Sequence, residues 1–269
     1  MPVNNFLTAV MRERRQDAQR ASQKTSLITL KQQVAAGTVG RSLQNAWRRQ
    51  RTAATVPWII AEVKKASPSA GLLCRDYHPE ALARDYEKAG AAAISVLTEP
   101  RHFLGSDADL RMVRRAVGLP VLRKDFICEP YQIYESAVLG ADIVLLIAAA
   151  LDARDLRVLV DLAVDIGLEA LVEVHTLEEL EQAVLLEKAI VGVNSRDLVT
   201  LKTDLSVARR LAPYLPQDRL CIAESGIRNR RDIEALQAVG YRGFLIGEAL
   251  MKSPDAGEQL RSFLAPAVQ

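Results

Sequence analysis

Cysteine is scarce in this chain, with three in 269 residues, at positions 74, 128 and 221. They lie far apart, in no metal-like or redox-like pair, and an odd, low count suits reduced thiols in a reducing compartment. Cys74, Cys128 and Cys221 are therefore read as core or filler. Histidine is equally sparse: His78, His102 and His175 have no paired spacing, so no metal site is expected and all three are taken as surface or packing residues. Long hydrophobic runs are missing too. The longest, Ile143 to Leu151, is bounded by Asp142 and Asp152 and falls well short of the roughly 20 residues a membrane helix needs. The opening "MPVNNFLTAVMRERRQ" has no basic start followed by an apolar core and a small-residue cleavage site. A cytoplasmic protein without membrane association is expected.

What is present is enough for one large core, with 49% hydrophobic and 25% charged residues. The net charge of +2 conceals an asymmetry, because residues 1–51 carry ten Lys/Arg against two Asp/Glu and the remainder 25 against 31. Such an arm can serve as a nucleic-acid handle. Its charges, however, are interleaved with Leu7, Val10, Met11, Leu27, Leu30 and Val34, and no aromatic or glycine-rich RNA-binding pattern accompanies them. Helices docked on a body, with no nucleic-acid partner, are the favoured reading. "AAGTVGRS", at 35–42, reads as a break between two helical pieces.

From Pro57 onward, short β-branched runs alternate with longer amphipathic segments, as parallel strands joined by crossover helices do. The runs are "WIIAEV" at 58, "AAISVL" at 92, "PVLRK" at 120, "ADIVLLI" at 141, "EALVEV" at 169, "AIVGVN" at 189, "RLCIAE" at 219 and "RGFLIG" at 242. Several segments between them, such as "HPEALARDYEKAG", end in the glycine of a helix C-cap. Eight βα units in about 210 residues point to an α/β fold of the closed (β/α)8 TIM-barrel type, which typically takes roughly 250 residues; a doubly wound open sheet is the lesser alternative. The expected division is an N-terminal helical extension over 1–51 and a catalytic barrel over 52–269.

In such barrels the chemistry sits where strands end and βα loops begin. Strand one ends in Glu62-Val63-Lys64, strand three in Arg123-Lys124-Asp125, strand five in Glu173, strand six in Asn194 with Arg196 just beyond, and strand seven in Glu224-Ser225. Alternation along a strand puts Glu62 and Lys64 on one face, inward, with Val63 outward. Inward charges are costly unless paired or used, so Glu62, Lys64, Lys124, Glu173 and Asn194 are candidates for function, and a purely stabilising ion-pair layer is the competing reading. Arg123, Asp125 and Lys65 should point outward or to the rim, with Lys65 left to solvent. Ser67-Pro68-Ser69 follows strand one, "AESGI" strand seven and "FLIGEAL" strand eight. Glycines after strands seven and eight stand where barrels commonly bind phosphate. Gly226 and Gly247 would let the backbone approach the ligand, Ser67 and Ser225 would add hydroxyls, and Glu248 would contribute its N–H. No glycine-rich nucleotide fingerprint follows strand one, so no dinucleotide cofactor is expected. The residues alone thus point to cofactor-free acid/base chemistry on a phosphorylated small molecule. A catalytically silent phosphate-binding barrel, or another enzyme acting on phosphoribosyl substrates, stays open at this point.

"IIAEVKKASPSAGLL", "VLRKDFICEPYQIYESAVLGADIVLLIAAAL", "LVEVHT", "VGVNSRDL", "AESGI" and "FLIGEALM" together, in this order, closely resemble indole-3-glycerol phosphate synthases. The resemblance covers roughly Val56 to Ala265, and the first fifty residues look like the helical extension that family places over the barrel mouth. It implies conversion of 1-(2-carboxyphenylamino)-1-deoxyribulose 5-phosphate to indole-3-glycerol phosphate, carbon dioxide and water in tryptophan biosynthesis, and leaves room for association with other enzymes of that pathway. Lys124 matches the family's general acid, and Glu173 the acid/base group of the dehydration. Glu62 matches a carboxylate that orients the lysines, and Lys64 the group that binds the substrate carboxylate. Asn194 and Arg196 match residues holding the substrate and catalytic groups; Ser67, Ser225, Gly226, Gly247 and Glu248 match the phosphate site; Phe103 and Phe126 resemble contacts of the anthranilate ring. Two positions depart from the pattern: Ala70 replaces a lysine common in relatives, and Glu248 stands where some have serine.

Overall fold

In the computed structural model, which describes residues 5–35, 37, 40–50 and 56–265, all eight β-branched runs become strands. β1 spans Trp58–Val63, β2 Ala93–Leu97, β3 Val121–Lys124, β4 Ile143–Ile147, β5 Glu169–Val174, β6 Ile190–Asn194, β7 Cys221–Glu224 and β8 Gly243–Ile246. Each pairs in parallel with its successor, and β8 closes on β1 in a register running from Trp58 opposite Gly243 to Ala61 opposite Ile246. Closure rules out the open-sheet alternative and leaves no unpaired edge.

Three helices precede the barrel, α1 (Asn5–Lys24), α2 (Leu27–Ala35) and α3 (Leu43–Gln50). The crossovers carry α4 (Pro79–Ala89), α5 (Asp107–Ala116), α6 (Pro130–Leu139), α7 (Ala153–Asp165), α8 (Leu177–Val184), α9 (Ser206–Leu211) and α10 (Arg230–Ala238), with α11 (Glu248–Met251) and α12 (Ala256–Leu264) after β8. Their ends are chemically marked. The Ser106, Asp152, Thr176 and Asn229 side chains accept from backbone N–H groups of the first turns of α5, α7, α8 and α10. Gly90 and Gly140 close α4 and α6 in the left-handed conformation, at φ 100° and 94°.

Strand alternation sorts the core into two layers. Ile59, Ala61 and Val63 belong to the outer layer between sheet and helices, whereas Ile60 joins Leu122, Leu145, Leu171, Ile222 and Leu245 inside the barrel. Glu62 and Lys64 follow Ile60 inward. Arg123 does point outward, yet it is completely buried rather than at the rim. Its Nη1 donates to Glu135 Oε2 (2.9 Å) and Ser136 Oγ (3.1 Å), and its Nη2 to Asp107 Oδ1 (3.1 Å). Lys65 is half-buried, not free in solvent.

The leading helices grip both ends of the barrel. On α1, Leu7, Val10 and Met11 are buried with Phe126 and Ile147 at the mouth. Arg14 Nε and Nη2 donate to the two oxygens of Asp125 (2.9 and 2.7 Å), and Asp17 accepts from both terminal nitrogens of Arg101 (2.6 and 2.8 Å). Asp125, expected at the rim, is instead buried beneath this helix. Leu30 of α2 packs with Ala18 and Tyr131. α3 lies at the opposite end, where the Glu169 carboxylate accepts from Ser42 Oγ (2.6 Å) and from the backbone N–H of Leu43 (2.8 Å) and Gln44 (3.0 Å). A carboxylate from the base of β5 thus satisfies the free donors that begin α3. Leu43 and Trp47 then close the bottom of the inner core with Ile143, Ile190 and Leu220. Truncating this plug, Trp47→Ala, is expected to cost about 3–5 kcal/mol of folding stability. Urea unfolding should show it as a lower midpoint with an unchanged slope.

Candidate active site

Five strands deliver polar side chains to one cavity of about 900 Å³ at the barrel mouth. At its centre Lys64 Nζ donates to Glu62 Oε1 (2.5 Å), Lys124 Nζ lies 3.5 Å from Glu62 Oε2, and Lys124 Nζ donates to Glu224 Oε2 (3.1 Å). Glu62, Lys64, Glu173 and Glu224 are all buried. Burial pushes the Glu62 carboxyl upward, but the two lysines outweigh it and hold its pKa at about 2. For Lys124, burial disfavours the ammonium, and Glu224, Glu62 and Glu173 outweigh that, so its pKa is raised. It therefore rests as the ammonium at neutral pH.

Glu224 is the opposite case. Burial raises its carboxyl to about 7, with Glu173 adding to the rise and Lys124 opposing it. Its Oε1 has no hydrogen-bond donor among the described residues, because its neighbour is the Glu173 carboxyl. Two carboxyls in contact favour holding one proton between them.

Glycines make this charge packing fit. A Cβ at Gly247 would overlap Glu62 Oε1, and one at Gly192 would overlap Glu224 Oε1. Gly247 therefore accommodates a carboxylate as well as marking the loop after β8, which its position in the motif did not disclose. Ser225 and Gly226 both take left-handed backbone, φ 63° and 81°. Glycine adopts this freely and serine at a cost of order 1 kcal/mol; the chain turns sharply there from β7 into the cavity.

Arg196 ties the surrounding loops together. Its Nη1 donates to Ser69 Oγ (3.1 Å) and Leu201 O (2.9 Å), its Nη2 to Glu248 Oε2 (3.2 Å), and its backbone N–H to Asn194 Oδ1 (2.9 Å). Glu248 also accepts from Lys252 Nζ (2.6 Å), so its negative charge is offset by two cations. Ser67, Ser225, Gly226, Gly247 and Glu248 all line this side of the cavity.

The opposite wall is aromatic. Phe103 and Phe126 lie with ring centroids 6.1 Å apart, and Phe6 of α1 meets Phe126 edge-on at 6.3 Å. Phe103 is held by Glu99, whose buried carboxylate accepts from the N–H groups of Arg101, His102 and Phe103 (2.9, 2.6 and 3.0 Å). All thirteen residues expected at the site line the cavity. Sequence reasoning left out Phe6, whose apolar spacing places it on a helix but not over a mouth, and Glu99, a local loop anchor. It noted Glu224 at the end of β7 but gave it no role. It took His175 as a surface or packing residue, and the ring lies between Glu173 and Glu179. No group of three or more metal-type ligands occurs among the described residues.

The family model for indole-3-glycerol phosphate synthase matches residues 7–263. The chain belongs to the indole-3-glycerol phosphate synthase family. Indole-3-glycerol phosphate synthase from Carboxydothermus hydrogenoformans is 45% identical over 264 residues, which is 97% of this chain and 100% of that protein. The synthases of Ruminiclostridium cellulolyticum (50% over 201 residues, 75% of this chain and 77% of that one) and Campylobacter jejuni (48% over 206 residues, 77% and 80%) are similar as well. Among solved structures, thiamine phosphate pyrophosphorylase from Pyrococcus furiosus has a TM-score of 0.57 at 15% identity, covering 78% of this chain and 94% of that one. That likeness is one of fold alone. The family match begins at residue 7, so it takes in the basic arm that the sequence motifs, starting near Val56, did not reach.

The raised carboxyl gives a signature in stability. Below pH 4.5, the ordinary value for this carboxyl, Glu224 is protonated both folded and unfolded; between 4.5 and about 7 the unfolded chain ionises it while the folded one holds the proton. Stability from this group is therefore full below 4.5 and is lost as pH rises through 7. Denaturation free energies across pH 4.5–7.5 should show that decline in the native protein and a flatter profile in Glu224→Gln.

Proposed function

We propose that this cavity binds 1-(2-carboxyphenylamino)-1-deoxyribulose 5-phosphate and converts it to indole-3-glycerol phosphate, carbon dioxide and water, the synthase step of tryptophan biosynthesis. The observation that carries the reading is a single cavity with two ammonium groups at its centre, Lys64 buried and Lys124 mostly so, an aromatic wall on one side and a glycine- and hydroxyl-rich rim on the other. The phosphate rests against Ser67, Ser225, Gly226, Gly247 and the backbone of Glu248. The anthranilate ring lies by Phe103 and Phe126, under Phe6, with its carboxylate on Lys64.

Lys124 gives its proton to the substrate carbonyl oxygen as the aromatic carbon attacks the carbonyl carbon. Supplying that charge from a site largely closed to water strengthens the interaction with the developing oxyanion. Glu173 does the acid/base work of the dehydration, with Glu224 sharing its proton. Glu62 orients both lysines. Asn194 fixes the start of the next loop, and Arg196 draws three loops around the phosphate end. The chemistry needs no cofactor, because ring closure and decarboxylation exchange only protons and electron pairs already held by substrate and side chains.

Residues 1–51 serve as an extension closing the mouth and base, and 52–269 as the catalytic barrel. Arg14 and Arg15 of the arm are engaged with Asp125 and Glu129, which supports docking on the barrel in place of nucleic-acid binding. No helix among the described residues is long and apolar enough to cross a membrane, and Cys74, Cys128 and Cys221 are free thiols, in keeping with a cytoplasmic site of action. Purified protein given the carboxyphenylamino substrate, without added metal, should develop indole-glycerol phosphate fluorescence. Lys124→Met should lower kcat by about 10²–10⁴-fold with an unaltered circular-dichroism spectrum. Turnover retained by that variant, or absent from the native protein at saturating substrate, sinks the reading.

A further inference from the structure

His175 follows β5 directly, and its imidazole is only 13% exposed. Nε2 lies 3.4 Å from Glu173 Oε1, and Nδ1 lies 3.4 Å from Glu179 Oε2. The His175 backbone N–H donates to the same Glu179 carboxylate at 2.7 Å, fixing the two residues against each other. Neither ring nitrogen makes a well-directed hydrogen bond, so the ring stands between two carboxylates without being locked to either. Glu179 sits in the first turn of α8 with its side chain 19% exposed. On the inner side Glu173 adjoins Glu224, and Glu224 accepts from Lys124 at 3.1 Å. From solvent inward, Glu179, His175, Glu173, Glu224 and Lys124 thus follow one another as a line of proton-holding groups, in which the two His175 contacts are 3.4 Å approaches.

The proton balance of the proposed reaction calls for such a line. In ring closure a carbon–carbon bond forms to the carbonyl carbon, and the carbonyl π pair moves to oxygen, which takes a proton from Lys124. The bond to the carboxylate then breaks, its electron pair restores the aromatic ring, and carbon dioxide leaves. In the dehydration the carbon–oxygen bond breaks with one proton delivered to the departing hydroxyl, and one proton is recovered from the adjacent carbon. Two protons are given and one is regained. Each turnover therefore draws one proton from solvent, matching the loss of a carboxylate's negative charge as neutral carbon dioxide. While substrate or product fills the mouth, a proton reaches Lys124 from behind.

We infer that His175 conducts this replacement proton inward from Glu179 to Glu173, acting through them and not on the substrate. A solvent proton passes from the Glu179 carboxyl to Nδ1 while Nε2 releases its own to Glu173, and Glu224 hands it on to Lys124. This rests on the reading of Lys124 as the general acid. The charged groups facing the ring are Glu173 on β5, Glu179 on α8, Glu224 on β7 and Asp197 in the loop after β6. All are acidic. Burial lowers the imidazole pKa, and Glu179, Glu173 and Glu224 outweigh it, so the value is raised.

The test is His175→Gln, which keeps size and polarity but cannot titrate, assayed both in single turnover with enzyme in excess and in the steady state. Lys124 begins charged, so the single-turnover rate should stay within about twofold of native, while kcat falls on the order of tenfold or more with KM nearly unchanged. The loss should deepen as pH rises, and imidazole added to the buffer should restore part of kcat. Single-turnover rate and kcat falling together would mean a packing role and overturn the proposal, as would a native kcat and pH profile. Lys124→Met serves as the control: if it keeps its single-turnover rate, the assignment of the general acid fails on its own account, whatever His175→Gln does.

Discussion

Removing charged side chains from water is the constraint around which the mouth of this barrel is built. Each ion taken into a protein interior costs several kcal/mol unless opposite charges meet it in good geometry. Here Lys64 and Lys124 are met by Glu62 and Glu224, and the mutual distances of 2.5, 3.5 and 3.1 Å leave little freedom to any of the four. The arrangement requires inward-facing positions at the ends of β1, β3 and β7, which only a closed parallel sheet brings to one ring. It also requires room, which Gly192 and Gly247 provide by lacking a Cβ where the carboxylates lie. The charge cluster thus specifies side chains on some strands and their absence on others.

The same constraint explains the leading helices. A cluster of this kind keeps its strength only where water is scarce, and α1 supplies the missing cover with Phe6, Leu7, Val10 and Met11. What holds α1 down is a second set of buried charges, Arg14 on Asp125, with Asp125 also accepting from Thr98 Oγ1 (2.7 Å) and from the Phe126 N–H (2.8 Å). The four residues Arg123 to Phe126 therefore face four surroundings in turn. Arg123 enters the outer layer, Lys124 the cavity, Asp125 the covering helix and Phe126 the aromatic wall. A one-residue shift of that strand would misplace all four.

Much of this was legible in the sequence because period-two alternation and the βα rhythm are local properties. The eight strands fall within the eight β-branched runs, and Glu62 and Lys64 share the inner face for the reason alternation gives. What was not legible depends on contacts between distant segments. Arg123 was expected outward or at the rim because side-chain direction along a strand is local, while its complete burial depends on Asp107 and Glu135 on two helices. Gly247 reads as a phosphate-loop glycine, and only the packed barrel reveals that Glu62 occupies the space of its side chain. His175 has Glu173 two residues before it and Glu179 four after, a spacing that alone does not turn either carboxylate towards the ring, and Glu224 reaches it from a distant strand.

The placement of the carboxylates follows from the same electrostatics. Glu62 lies between two ammonium groups and is driven to the ionised form, whereas Glu224 shares one ammonium with a second carboxyl and is driven towards the protonated form. Two glutamates on the same inner ring thereby acquire different tasks from their neighbours alone, one as a fixed counter-ion and one as a group that exchanges a proton near neutrality. Swapping their environments would require moving Lys64, which is bound by alternation to Glu62 on β1. The division of labour is therefore set by strand register: the residue two places beyond Glu62 decides that Glu62 stays charged, and the empty Cβ position of Gly192 lets Glu224 lie against Glu173.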